Sequence, residues 1–165
     1  MTIKSAVVDY AGRQVDVELL QTITYPTGSR EVVVSNVAST PKIVTGVQKA
    51  LQRYTTLLLT VLGDVHFVED EGTGLVQAFA SGNIANNGIL QYVFVDANTS
   101  VLTMMREDDN DITTFGTIPD DERIADAVLV SYAVDYANGV VGLTIQFTMQ
   151  SGSDIVYVIP VATPR

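Results

Sequence analysis

Three adjacent carboxylates, Glu69, Asp70 and Glu71, stand beside Gly72, and the single histidine of the chain, His66, lies just before them. Two carboxylates at a fixed separation, one with its pKa raised, are what glycoside hydrolysis requires. Neighbouring carboxylates next to a glycine more often form a solvated loop, and that is the preferred reading. One histidine allows no multi-histidine metal site, and no Ser-His-Asp arrangement stands out around it. His66 therefore reads as a strand residue beside a helix end. A second acidic cluster, Asp108, Asp109 and Asp111, offers hard oxygen ligands of the kind calcium takes. It has neither the glycine at the sixth position nor the closing glutamate at the twelfth of an EF-hand loop, so a solvated surface run is expected. Gly72-Thr73-Gly74 is glycine-rich, but no lysine follows it, which leaves phosphate cradling poorly supported. No catalytic, cofactor-binding or metal-binding residue is assigned, and no enzyme is expected.

Composition narrows the partners. At 165 residues the chain is long enough for one domain with a substantial core, and 47% hydrophobic against 17% charged residues disfavours disorder. Nineteen acidic residues against nine basic ones give a net charge of −10. That balance opposes general nucleic-acid binding, which needs a basic footprint, and adsorption to an anionic membrane surface. There is no cysteine, so disulfides and thiolate metal sites are excluded. No apolar run reaches membrane-spanning length and the start lacks a signal-like segment, so assembly in a cytoplasm is expected.

The elements that must position any site follow from periodicity. Ile43, Val44, Val47, Ala50, Leu51, Tyr54, Leu57, Leu58 and Val61 recur at helical spacing, behind Thr40 as a cap and Pro41 at the first helical position. Gly63 then stands where a helix commonly ends in a left-handed residue. Leu90, Val93, Phe94, Ala97, Val101, Leu102 and Met105 predict a second helix from about Ile89 to Arg106, despite β-rich composition, with Asn86-Asn87-Gly88 as breaker or cap. Thr73 caps a brief helix containing Leu75, Val76 and Phe79 that stops at Ser81-Gly82-Asn83. Glu107 to Asp111 opens a long loop through Gly116 and Pro119.

Strands fill the remainder. Residues 1–35 read as a β arm: Lys4 to Asp9, then Val15, Val17 and Leu19 alternating with Asp16 and Glu18 as a half-buried strand, then Arg30 to Val34 after a turn at Tyr25 to Ser29. Val65 to Val68 reads as a short strand. Ala125 to Tyr136, Val140 to Met149 and Ile155 to Val161 form an antiparallel set, turned at Asn138-Gly139 and Ser151-Gly152-Ser153. The class is α+β: a long helix and a second helix on a mainly antiparallel sheet, with an N-terminal β-hairpin arm over 1–35 and the main domain over 36–165.

The run Leu59-Thr60-Val61-Leu62-Gly63, then Phe67, Glu69 and Gly72-Thr73-Gly74-Leu75, together with Asp120-Asp121-Glu122-Arg123-Ile124, resembles the sheath-initiator family of contractile-tail baseplates. These are the gene-twenty-five-like, lysozyme-like wedge proteins of phage tails, with relatives in type VI secretion baseplates. The resemblance covers roughly residues 30 to 160, and it implies a structural protein of the virion. Six copies per baseplate would join wedge proteins and tail tube or hub proteins to the first ring of the tail sheath protein. Sheath assembly would be nucleated by β-strand augmentation. It also implies a docking point at Asp121, Glu122 and Arg123. Glu122 stands where the family usually has proline, so the charge pair is kept without that fixed backbone angle. The alternative for Arg123 is a local ion pair with Asp121 or Asp120. The open sheet edge is expected within Val140 to Val161, with Ile155, Tyr157 and Ile159 on its last strand. The rival readings are a glycan-hydrolysing enzyme using residues 69–71, a type VI secretion baseplate component, and an unrelated small binding module.

Overall fold

The computed structural model describes residues 16–24, 30–34, 42–64, 71–111, 117–135 and 139–162. Lys4 to Asp9, the turns at 25–29 and 136–138, Thr40, Pro41 and the expected strand at 65–68 lie outside them. The fold is α+β, a single domain with an N-terminal β-hairpin. In chain order it comprises β1 (Asp16–Val17), β2 (Leu20–Thr24), β3 (Arg30–Val34), β4 (Ile43–Val44), α1 (Gly46–Leu59), α2 (Leu75–Ala80) and α3 (Asn87–Asn110). A 3-10 turn (Asp120–Glu122) then leads into β5 (Ile124–Asp135), β6 (Val140–Met149) and β7 (Asp154–Ala162).

The first helix begins later than its apolar spacing predicts. Ile43 and Val44 pair antiparallel with Val17 and Asp16 instead of entering the helix. Thr45 stays extended, and Gly46 makes the turn from strand to helix at φ +62, a region that an L side chain rarely adopts. The helix closes at Leu59 with Thr60 extended, so Gly63, though left-handed at φ +83, belongs to the following turn, in which the Asp64 amide donates to the Val61 carbonyl. The second long helix matches its predicted face: Leu90, Phe94, Ala97, Val101, Leu102 and Met105 are all buried. It starts where Asn86 accepts from the Ile89 amide and continues through the acidic run to Asn110, a turn further than expected. The brief helix α2 is present, with the Thr73 hydroxyl accepting from the Leu75 amide.

The main sheet has the order β2-β3-β7-β6-β5. Strands β5, β6 and β7 form the antiparallel set predicted, and their inward residues Ala127, Leu129, Leu143, Ile145, Phe147, Tyr157 and Ile159 meet α1 and α3 in one core. Tyr54 of α1 stands edge-on to Phe147, with ring centroids 4.8 Å apart, and its hydroxyl donates to Asn98 Oδ1 at 2.7 Å. Asn98 in turn donates to the Ala127 carbonyl at 2.9 Å, so one buried polar chain ties both long helices to β5. The opposite face of the sheet leaves Val128 and Val156 exposed.

Two expectations about strands are corrected. Val17 and Leu19 are exposed rather than half-buried, because only Asp16 and Val17 join β4 and neither reaches the core. The C-terminal strands do not form the edge of the sheet. β6 lies between β5 and β7, and β7 is covered on its other side by β3, so the edges are β2 and β5. Tyr157 and Ile159 are consequently buried core residues, and Ile155 is half-buried against the same core.

Burial raises the Tyr54 pKa well above that of an ordinary tyrosine, and the negative charge of Asp126 adds to the effect. The folded-state pKa exceeds the unfolded one, so this contribution to stability is intact below about pH 10 and is lost as pH rises beyond it. Urea denaturation followed from pH 9 to 11.5 should show stability falling above about pH 10, where Tyr54 contributes up to about 1.4 kcal/mol per pH unit. Tyr54→Phe should remove that part of the slope.

Candidate partner-docking site

The segment Asp120-Asp121-Glu122-Arg123 is placed by three backbone contacts. The Glu122 amide donates to the Pro119 carbonyl at 2.9 Å, closing the 3-10 turn. The Gln150 and Ser151 amides, in the β6–β7 turn, donate to the Arg123 and Asp120 carbonyls at 2.8 and 3.2 Å. The turn is thereby held against the far end of the β6–β7 hairpin.

Its side chains have different fates. Glu122 is 3% exposed and points inward: Oε1 accepts from the Gly46 amide at 2.9 Å, and Oε2 lies 3.4 Å from Lys49 Nζ. The first-turn amides of a helix lack intrahelical acceptors and carry the positive end of its dipole, and a carboxylate supplies what both features favour. Expected as a docking residue, Glu122 is instead an internal cap. Where the resemblance leads one to expect proline, the chain has an acceptor that α1 itself uses, because Thr45 makes no side-chain cap there.

Arg123 is half-buried, and Nε lies 3.8 Å from Asp109 Oδ2. Its ion pair is thus with the end of α3, not the local one with Asp120 or Asp121 that proximity in sequence suggests. Asp109, 9% exposed, is shared with Arg53 of α1, whose Nη1 donates to Asp109 Oδ1 at 2.7 Å while Nη2 reaches Asp108 Oδ2 at 2.5 Å. The acidic run is therefore the last turn of α3, clamped by two arginines, rather than a solvated loop. Asp121 is half-buried and Asp120 exposed beside this cluster.

The sequence gives no local signal for these pairings, since Arg53 and Asp109 are far apart along the chain. The same holds for Gln52, which is 2% exposed on α1. Its Oε1 accepts from the Leu19 and Leu20 amides at 2.7 and 3.2 Å, and its Nε2 donates to Asp16 Oδ2 and the Val17 carbonyl, both at 2.9 Å. A lone glutamine bordering an apolar stripe does not announce such a clamp.

The other motif of interest closes the far end of α1. Thr73 donates through its hydroxyl to the Leu58 carbonyl at 2.7 Å and through its amide to the Thr60 carbonyl at 2.8 Å, and its carbonyl accepts from Leu62 at 3.1 Å. Gly72, at φ +104, passes so close that a Cβ there would sit 2.7 Å from the Thr60 oxygen. His66, Phe67, Glu69 and Asp70 lie outside the described residues, and Glu71 is half-buried. A depression beside α2, lined by Gly74, Gln77, Ala78, Ala80, Ser81 and Asn83, contains no carboxylate. Among the described residues no cluster of three or more His, Asp or Glu side chains is arranged to hold a metal, and no helix is long and apolar enough to cross a membrane. No family model, curated protein or solved structure matches this chain.

The arrangement binds three elements together and presents a charged surface at their junction. Glu122→Ala removes the acceptor of the Gly46 amide and one ion-pair contact of the largely buried Lys49, and should lower stability by about 1–3 kcal/mol. Glu122→Gln, which keeps an acceptor, should lower it less. Arg123→Ala, removing a 3.8 Å contact to an Asp109 that keeps its bond from Arg53, should change it by less than about 1 kcal/mol. Chemical denaturation of the three variants checks this ranking.

Proposed function

We propose that this chain is a structural component of a phage contractile-tail baseplate, connecting wedge and tube proteins to the first sheath ring and nucleating sheath assembly. The observation that supports this reading most is where the family-like segments fall. Leu59 to Gly63 and Gly72 to Leu75 interlock at one end of α1, and Asp120 to Ile124 packs on the other. Segments that resemble one family at separate places in the chain therefore serve one architectural purpose, bracketing the central helix.

A protein of this kind transmits load rather than turning over substrate. Arg123, anchored to Asp109 but with 31% of its side chain exposed, together with Asp120 and Asp121, offers the charged surface for wedge proteins. Augmentation by a sheath strand takes place at a sheet edge, where unpaired main-chain groups remain. Of the two edges, β5 carries register irregularities at Ile124/Asp126 and Leu129/Ser131, whereas β2 pairs with β3 in unbroken register from Leu20↔Val34 to Thr24↔Arg30. β2 is the edge assigned to the sheath, in place of the C-terminal strands.

The test is reconstitution with the sheath and wedge proteins of the same source, followed by electron microscopy. The wild-type chain should seed ordered sheath. Arg123→Glu should remain folded and lose co-purification with the wedge proteins. If the wild-type chain binds no tail component, the baseplate reading is wrong.

A further inference from the structure

Strands β5, β6 and β7 carry α1 and α3 on one face. Among the described residues, no helix covers the other. On that outer face the ladder sets out cross-strand rows, and the two middle ones are Val128–Gln146–Val156 and Ser131–Thr144–Val158. Val128 and Val156 are 53% and 47% exposed, beside a half-buried Val158. Branched apolar side chains left this open, in adjacent rows of one sheet face, mark a surface that a partner covers.

The face is a trough that follows β6. The outward residues of that strand, Thr148, Gln146, Thr144 and Gly142, are half-buried between its two neighbours. Gly142 supplies no side chain, and a Cβ there would come 3.2 Å from Val158 Cγ1. With Ala133 and Pro160 on either side, it lines a depression that reaches Asp135. Across β6, strands β5 and β7 stand about 10 Å apart, which is the diameter of an α-helix. From Thr148 to Val140 the trough runs about 27 Å, the length of about 18 helical residues. Both ends are acidic: Asp126 and Asp154 flank Thr148 at one, Asp135 pairs with Val140 at the other, and all three are exposed.

We propose that this face receives an amphipathic α-helix of a partner protein, laid along β6, with apolar side chains over Val128, Val156 and Val158 and with lysine or arginine at both ends. Charge selects this occupant over a second copy of the chain. In a two-fold pair the face would meet itself. An axis along the strands would set Asp126 and Asp154 against their own counterparts, and one across the strands would set them against Asp135. Either arrangement brings like charges together, between chains that each carry a net charge of −10. A helix with basic ends meets the carboxylates with opposite charge while its apolar stripe covers the valines between them. The helix completes a third layer on a sheet whose other face is already covered by helices. The inference uses neither the Asp120–Arg123 turn nor the β2 edge, so it can fail with the baseplate reading intact, and the reverse.

The probe is a fluorescein-labelled, hydrocarbon-stapled helical peptide of about 18 residues, with leucines along one face and lysines in its first and last turns. One control replaces the lysines with glutamates, and a second scrambles the sequence so that composition and charge are kept but the stripe is lost. The full-length chain should bind the lysine-ended peptide in fluorescence anisotropy, with amide shifts in nuclear magnetic resonance confined to the outward residues of β5, β6 and β7. Val156→Asp, at an exposed position, should weaken binding by about tenfold or more, because it sets a charge beneath the leucines. Val128→Asp, on the edge strand, should do the same independently. Asp135→Lys/Asp154→Lys, with one reversal at each end, should switch the preference to the glutamate-ended peptide, an outcome that general loss of structure would not produce. Equal binding of the scrambled peptide, shifts on another face, or an unchanged preference in the charge-reversed variant overturns the proposal. So does the absence of binding to the lysine-ended peptide.

Discussion

The buried carboxylate of Glu122 is the contact on which the arrangement of the domain depends. It meets the first amide of α1, at a helix start that has no capping side chain of its own, and neutralises Lys49 one turn further on. Because Glu122 immediately precedes the strand pair β5–β6, this contact fixes how the central helix lies on the sheet. The Tyr54–Asn98–Ala127 chain fixes the same relation at mid-helix, and the Thr73 interlock closes the far end. With α1 held at three points along its length, α3 is positioned in turn through the two arginines that grip Asp108 and Asp109.

This division explains why a single short motif contains residues of opposite character. Glu122 faces inward and stabilises, whereas Asp120 and part of Arg123 face outward, where a partner can read them. In the proposed baseplate role, a rigid interior beneath an exposed charged turn is what docking under load would require. The arm follows another physical logic: its base is tied to α1 by side-chain to main-chain hydrogen bonds, and its tip joins the main sheet where β3 runs parallel to β7.

Much of the fold was legible in the sequence because periodicity reports burial directly. The apolar positions of both long helices and the alternation of β6 and β7 needed no tertiary information, and Asn86 capped as its type suggested. What could not be read was long-range. Ile43 and Val44 fit a helical face, but pairing with Asp16 and Val17 claimed them as a strand, and Gly46 supplied the break. The acidic run looked solvated because its arginine partners are distant in sequence. Glu122 looked exposed because nothing nearby in the chain announces that a helix start needs its oxygen. The C-terminal strands looked like an edge for the same reason, since the strand that covers β7 comes from the other end of the chain.

The most direct measurement is native-state hydrogen exchange of the Gly46 amide, resolved by nuclear magnetic resonance. If the Glu122 carboxylate anchors the helix to the sheet, this amide exchanges only through global unfolding, with the same free energy as the central amides of β6. Glu122→Ala, which removes the acceptor, should then bring its exchange down to a local opening. Rapid exchange of the Gly46 amide in the wild-type protein, at the rate of an exposed turn, would contradict the account.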